Sequence, residues 1–199
     1  MRRTLIVMVK EPRPGRVKTR LGRDIGMTTA AWWFRHQTRR LIGRLADPRW
    51  RLVLAVSPDR EGMLSRVWPR PFARVAQGKG TLGDRMARLL KAQVPGPVCL
   101  IGADIPGITR GHVASGFAAL GRADAVFGPA PDGGYWLIGV AHPSRLPPTL
   151  FTEVRWSTEH ALADTRATMR DLRVALVEPL QDVDTVDDLA MTRAGARDT

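Results

Sequence analysis

The stretch Pro97-Val98-Cys99-Leu100-Ile101-Gly102-Ala103-Asp104-Ile105-Pro106 decides the fold. From Val98 to Gly102 no residue is charged and four of the five are apolar, the pattern of a strand buried on both faces of a parallel sheet. Asp104 follows at the carboxyl end of that strand, the end that faces the ligand crevice in an open α/β sheet. A helix is expected to begin near Thr109, so Asp104 reads either as its cap or as a carboxylate presented to a ligand. Pro106 fixes the backbone two residues on and removes an amide donor, which favours presentation.

Working outward, residues 5–9 form a compact apolar run after a charged start and read as the first buried strand. A long loop over residues 10–22 follows, carrying Pro12, Pro14, Gly15 and Gly22 together with Lys10, Arg13, Arg16, Lys18 and Arg20. Such a loop is a candidate anion cradle, because strand ends and helix amino termini favour negative charge. It also reads as a solvated basic turn. Apolar spacing over residues 28–45 predicts an amphipathic helix, with arginines 35, 39, 40 and 44 on its other side. Residues 51–56 read as a second strand, Ser57-Pro58-Asp59 as the opening of a loop, and residues 73–76 as a short strand.

The turn Gln77-Gly78-Lys79-Gly80-Thr81 runs into a helix through Leu90, either as a plain helix start or as a nucleotide contact. Beyond the central strand a helix is expected over residues 111–120 and a fifth strand over 124–128. Pro131-Asp132-Gly133-Gly134-Tyr135 then turns the chain into another apolar strand, as hairpin punctuation or as part of a site. A helix from Ser157 or Thr158 to about residue 172, a strand over 173–177 and a closing helix over 185–194 complete the reading. The alternation predicts an α/β chain folded as one domain over residues 1–199. Its expected form is a three-layer α/β/α sandwich with a mostly parallel, Rossmann-like sheet, and the Asp-Gly-Gly-Tyr region departs from it as an antiparallel element.

Composition narrows the function classes. The formal charge of +12 is concentrated at the amino end, where residues 1–50 hold 13 Lys or Arg against three acids. Arginine supplies 27 of the 31 basic residues, a donor type suited to phosphate oxygens. Nucleic acid is disfavoured as a partner: no helix-turn-helix, zinc-knuckle or aromatic RNA-binding signature is present, and aromatic residues make up 6% of the chain. The single cysteine, Cys99, lies in the apolar strand and allows no internal disulfide, which suits a reducing cytoplasm. No apolar run is long enough to span a bilayer, and a cytoplasmic location is expected. Histidines 36, 112, 142 and 160 show no metal-ligand spacing.

Three loops therefore share the expected carboxyl edge: the cationic one, the one bearing Asp104, and the one bearing Asp182 and Asp184. Cations facing carboxylates across one crevice suit a nucleotide phosphate chain with a bridging divalent ion. With oxygen ligands and no Cys/His cluster, Mg²⁺ or Mn²⁺ is expected rather than zinc.

The ordered set of the 8–21 segment, Leu82-Gly83-Asp84-Arg85-Met86, Gly102-Ala103-Asp104-Ile105-Pro106, the 128–139 segment and Asp182-Val183-Asp184-Thr185 resembles a bacterial family. That family is described as DUF2064 or radical-SAM/selenodomain-associated transferase 1, in the GT-A-like nucleotide-diphospho-sugar transferase superfamily. The resemblance spans nearly the whole chain and implies that fold. By it, Lys10, Arg16, Lys18 and Arg20 match a phosphate-binding loop, one also similar to that of 2-phospholactate guanylyltransferases. Arg85 joins them as a nucleotide contact. Asp104 matches the metal aspartate, and Asp184 with Asp182 beside it the carboxylate before the last helix. Asp132, Gly133, Gly134 and Tyr135 match a signature turn on the acceptor or sugar side, with Asp132 as a candidate general base or a turn residue. Two departures stand out. Asp104-Ile105-Pro106 lacks the two aspartates spaced by one residue that many GT-A enzymes carry, and the first loop lacks a Leu-Ala-Gly-Gly opening.

The expected activity is a metal-dependent, glycosyltransferase-like reaction from a nucleoside-diphosphate sugar to a small-molecule acceptor. Two alternatives accompany it: nucleotidyl transfer of an NMP unit to a phosphorylated small molecule, and non-catalytic binding of nucleotide or nucleic acid.

Overall fold

Leu5, Val7 and Val9 of β1 (Arg3–Lys10) point to one side of a sheet and Ile6 to the other, and all four are buried. This alternation places β1 at the middle of the molecule, with apolar layers on both faces. The computed structural model describes residues 2–92 and 96–181.

The remaining strands are β2 (Trp50–Ser57), β3 (Ala73–Ala76), β4 (Val98–Gly102), β5 (Ala125–Pro129), β6 (Tyr135–Val140) and β7 (Val174–Leu176). They join β1 in one sheet of order β3-β2-β1-β4-β6-β5-β7. β1 pairs in parallel with β2 on one side and with β4 on the other. Chain order therefore reverses between β1 and β4, the switch point at which open α/β sheets leave a crevice. β6 runs antiparallel to both β4 and β5, and β5 returns to parallel pairing with β7. The expected three-layer sandwich with one antiparallel departure at the Asp-Gly-Gly-Tyr region is the observed architecture.

Helices α2 (Met27–Leu45) and α5 (Arg110–Ala119) cover one face. Phe34, Leu41 and Ile42 from α2 and Val113 and Phe117 from α5 pack there with Leu5, Val7 and Ile101. Helix α4 (Leu82–Lys91) covers the other face, where Met86, Leu89 and Leu90 meet Ile6, Leu100 and Phe127. Leu150, Phe151, Val154 and Met169 extend that layer. Cys99 is buried within the sheet, and burial pushes its thiol pKa up, away from reactivity. Among the described residues no helix is long and apolar enough to cross a membrane.

Three local expectations are corrected. The cationic loop ends earlier than expected, because a short helix α1 (Thr19–Ile25) begins inside it. After the Ser57-Pro58 turn the chain folds into α3 (Asp59–Leu64) instead of continuing as loop. The helix placed from Ser157 or Thr158 to residue 172 is only α6 (Ala161–Ala167), and its capping position is His160, which makes no side-chain cap hydrogen bond. Ser157 takes a positive φ of 60°, away from the extended backbone typical of a side-chain cap. The expected closing helix over 185–194 lies outside the described residues.

Candidate active site

The carboxyl ends of β1 and β4 open into a cleft of about 810 Å³. From β1 come Lys10 and the basic loop, whose Arg16 and Lys18 line the cleft wall. From β4 comes Asp104, half exposed between Ala103 and Ile105, which are both buried. Lys18 Nζ stands 2.9 Å from Asp104 Oδ1, so the basic loop and the central-strand carboxylate meet at the switch point. The Lys18 side chain is only 4% exposed, against 55% for Asp104.

Asp104 does not cap α5. That role belongs to Thr109, whose hydroxyl accepts from the His112 backbone N–H while His112 Nδ1 accepts from the Thr109 N–H. The loop after Asp104 is instead tied to α2: the Arg44 guanidinium donates to the Pro106 carbonyl, and Arg110 Nε donates to the Arg44 carbonyl at 2.7 Å. Two basic residues from different helices thus fix the backbone that carries Asp104.

The turn before α4 closes a second side. Thr81 and Asp84 form a capping box, with hydrogen bonds of 3.2 Å and 2.9 Å between backbone and side chains. The Thr81 bonds hold the Asp84 carboxyl below its usual range. The turn is a helix start, and it also lines the cleft through Gly80, Thr81 and Arg85. Arg85 Nε is anchored on the Gly80 carbonyl at 3.0 Å. Arg88, one turn on, donates to the Gln77 and Lys79 carbonyls at 2.7 and 2.9 Å, which makes the turn rigid.

On the third side, Asp132 Oδ1 accepts the Gly134 N–H at 2.9 Å, so Asp132 shapes its own turn while also lining the cleft. Gly133 has φ 81°, and a side-chain carbon there would fall on the Glu159 backbone, behind the cleft surface. Gly134 and Tyr135 line the cleft. The Tyr135 hydroxyl pairs with Thr165 Oγ1 at 3.3 Å, and burial pushes its pKa up, so it remains a neutral wall of the site.

Of the residues singled out in the sequence, Lys10, Arg16, Lys18, Arg85, Asp104, Asp132, Gly134 and Tyr135 share this cleft. Arg20 sits on α1, outside the lining residues. Asp182 and Asp184 lie outside the described residues. In the described residues just before them, the Glu178 carbonyl accepts from Nε1 of the lining residue Trp136 at 2.9 Å, and the Leu180 N–H donates to the Pro129 carbonyl at 3.1 Å.

Gln77 and Leu82, from the turn and motif before Arg85, also line the cleft, as do Trp156 and Ser157, which the sequence did not mark as site residues. Trp156 lies across α4, where a side-chain carbon at Gly83 would stand 3.1 Å from its ring. Ser157 carried one available signal, a small polar residue between an aromatic and an expected helix start, but its positive φ is visible only in three dimensions.

A mostly parallel α/β sheet with a cation-rich, carboxylate-bearing crevice at its switch point defines the class: the fold is that of the GT-A-like nucleotide-diphospho-sugar transferase superfamily. Within it, the family model described as uncharacterized protein conserved in bacteria (DUF2064) matches residues 41–158, more than half of the chain. The chain belongs to the DUF2064 family. A solved structure from Desulfovibrio desulfuricans G20, provisionally described as a nucleotide-diphospho-sugar transferase, is 32% identical. It covers 95% of this chain and 85% of its own, with a TM-score of 0.84. The 4-diphosphocytidyl-2C-methyl-D-erythritol synthase of Anaerococcus prevotii DSM 20548 shares the fold at 13% identity, with 98% of each chain covered and a TM-score of 0.64. So does the 2-C-methyl-D-erythritol 4-phosphate cytidylyltransferase of Thermus thermophilus, at 20% identity, 99% and 100% coverage and a TM-score of 0.56. No curated protein matches the chain.

Proposed function

We propose that the protein is a transferase whose cleft holds the diphosphate of a nucleoside-diphosphate sugar and passes the sugar to a small-molecule acceptor. The observation that carries this reading is the convergence of Lys10, Arg16 and Lys18 with Asp104 in one crevice at the β1/β4 switch point. Lys10 and Arg16 have no carboxylate partner among the described residues, so their charge is available to phosphate oxygens. The 32% identical relative, by its description, points to the same donor class.

In the reaction the bond from the sugar's anomeric carbon to the β-phosphate oxygen breaks. The bond to an acceptor oxygen forms, and the acceptor's proton passes to a base. Asp132 is proposed as that base: Oδ1 is held by the Gly134 N–H, and Oδ2 carries no hydrogen bond among the described residues. Lys10, Arg16, Lys18 and Arg85 hold the departing nucleoside diphosphate, and Arg20 extends their field. Gly134 and Tyr135 shape the acceptor side, on a turn that Gly133 allows.

A divalent ion fits the donor set. Among the described residues no group of three or more His, Cys, Asp or Glu is gathered as a metal cage. A half-exposed carboxylate beside phosphate-binding cations suits Mg²⁺ or Mn²⁺, which take one or two carboxylates with phosphate oxygens and water. Asp104 would hold such an ion, and Asp182 and Asp184 are the proposed further ligands. When bound, the ion neutralises charge on the departing diphosphate.

Nucleotidyl transfer to a phosphorylated small molecule is the second reading, favoured by the two cytidylyl-transferring proteins that share the fold. The test is a thermal-shift panel of nucleotides and nucleotide sugars with and without Mn²⁺. Incubation of the chain with each stabilising nucleotide and a pool of phosphorylated metabolites follows. Stabilisation by nucleotide sugars with release of nucleoside diphosphate is expected. Pyrophosphate release from a nucleoside triphosphate would replace sugar transfer by the second reading, and no nucleotide stabilisation at all would overturn both.

A further inference from the structure

We infer that the Lys18 ammonium holds the divalent cation's place on Asp104, so that the cleft accepts a cation only together with a diphosphate. The inference rests on the function proposed above and assigns the order in which that site fills.

Lys18 Nζ lies 2.9 Å from Asp104 Oδ1, within contact distance of an oxygen that a metal ion would use. The lysine side chain is 4% exposed and the aspartate 55%, so the ammonium reaches the carboxylate from the protein side while the carboxylate stays open to the cleft. A dication arriving alone at Asp104 meets a fixed positive charge on the same group, and the repulsion lowers its affinity.

The backbone beside Asp104 is held in place. Arg44 holds the Pro106 carbonyl, Arg110 holds Arg44, and the flanking Ala103 and Ile105 are both 5% exposed. Lys18 meets Asp104 on a four-carbon stem, rising from a residue with φ 46° at the head of α1. A diphosphate changes the balance in two ways. It offers Lys18 another anion, beside Lys10 and Arg16, and it brings oxygen ligands for the cation to a cleft with one described carboxylate at that point. Cation and diphosphate then raise each other's affinity by the same factor.

The opposite role, in which Lys18 positions Asp104 for the metal, predicts the opposite sign. The full chain is titrated with Mn²⁺ alone, free Mn²⁺ being followed by its electron paramagnetic resonance signal. Inorganic pyrophosphate binding is measured by calorimetry with and without Mn²⁺. Lys18→Met and Lys18→Gln are expected to bind Mn²⁺ alone roughly tenfold more tightly than the unmodified protein, within the span typical of coupled sites. The gain is lost when Asp104→Asn is added. Mn²⁺ is expected to strengthen pyrophosphate binding to the unmodified protein, and this coupling shrinks in Lys18→Met. Unchanged or weaker Mn²⁺ binding by the lysine variants overturns the inference. So does an unmodified protein in which Mn²⁺ and pyrophosphate bind without affecting one another, a measurement that needs no variant to fold. If the unmodified protein ignores pyrophosphate altogether, the proposed function fails, while the Mn²⁺-alone comparison still decides the role of Lys18.

Discussion

The side-chain amide of Gln77 donates to the Ala55 carbonyl of β2 at 2.8 Å, and the same nitrogen donates to the Val9 carbonyl of β1 at 3.2 Å. Gln77 is buried, lines the cleft and ties together the ends of the two strands beneath it. Gln77→Leu removes the donor from two inward-facing carbonyls and is expected to cost about 1–3 kcal/mol in urea denaturation. Gln77→Glu places acceptor against acceptor and is expected to be more destabilising than leucine. Equal stability of all three proteins would show that the amide does not hold the strand ends.

Gly133 is a second point where backbone geometry supports the cleft. It combines φ 81° with a Cβ position that falls on the Glu159 backbone, and its carbonyl accepts the Leu162 N–H at 3.0 Å. Gly133→Ala therefore meets strain and collision together, with an expected loss of at least ~2 kcal/mol. In a chain of this size that is a melting-temperature drop of roughly 4–8 °C. Gly15→Ala, also at positive φ but with open space around it, is expected to cost less. Differential scanning calorimetry of the two variants checks the order.

What could be read from the sequence follows from how far each signal reaches. Residues 98–102 and 5–9 were legible because a strand buried on both faces needs an unbroken apolar run, and these are β4 and β1. The placement of Lys18 beside Asp104 was legible only as a shared sheet edge. Their contact depends on the reversal of strand order between β1 and β4. Short helices escaped: α1 and α3 have no side-chain cap hydrogen bond, and α1 carries an internal glycine. The 157–172 segment misled because Ser and Thr before an apolar run look like a cap, whereas Thr158 bonds the Arg155 carbonyl behind it. Trp156 was hidden for a related reason, since an aromatic residue with core neighbours on one side can still show its other side to a cleft.

Arg155 and Asp164 supply a pH dependence. Paired hydrogen bonds of 2.9 Å from the Arg155 guanidinium, then one from its backbone N–H, hold the Asp164 carboxyl at about 2 instead of 3.8. A carboxyl depressed on folding contributes stability that is present above its unfolded value and lost as pH falls through its folded one. The loss therefore belongs between pH 3.8 and about 2. Asp47, also held at about 2 by Arg49, adds to the same limb. The arginines of both pairs are exposed, so the effect is small and screened by salt. Asp164→Asn is expected to flatten the decline of the urea midpoint over this window. An unchanged acid limb would show that the pair does not restrain the loop bearing Trp156.

The cations of the basic loop are expected to separate by position. Lys10 and Arg16 line the cleft with no carboxylate partner among the described residues, so removing either takes away affinity for an anion without breaking an internal ion pair. Lys10→Ala and Arg16→Ala are each expected to weaken inorganic pyrophosphate binding about tenfold, the scale of one charge-assisted hydrogen bond. Their melting temperatures should stay within roughly 2 °C of the unmodified protein, as for surface substitutions. Arg20 lies on α1 outside the lining, so Arg20→Ala should lose less affinity than either, through longer-range attraction alone. That residual effect, unlike the first two, should vanish in high salt, because separations beyond the screening length are silenced while direct contacts persist. Calorimetric titrations at low and high ionic strength distinguish the two groups. Equal losses at all three positions, all erased by salt, would mean that the loop attracts anions by net charge and does not grip a diphosphate.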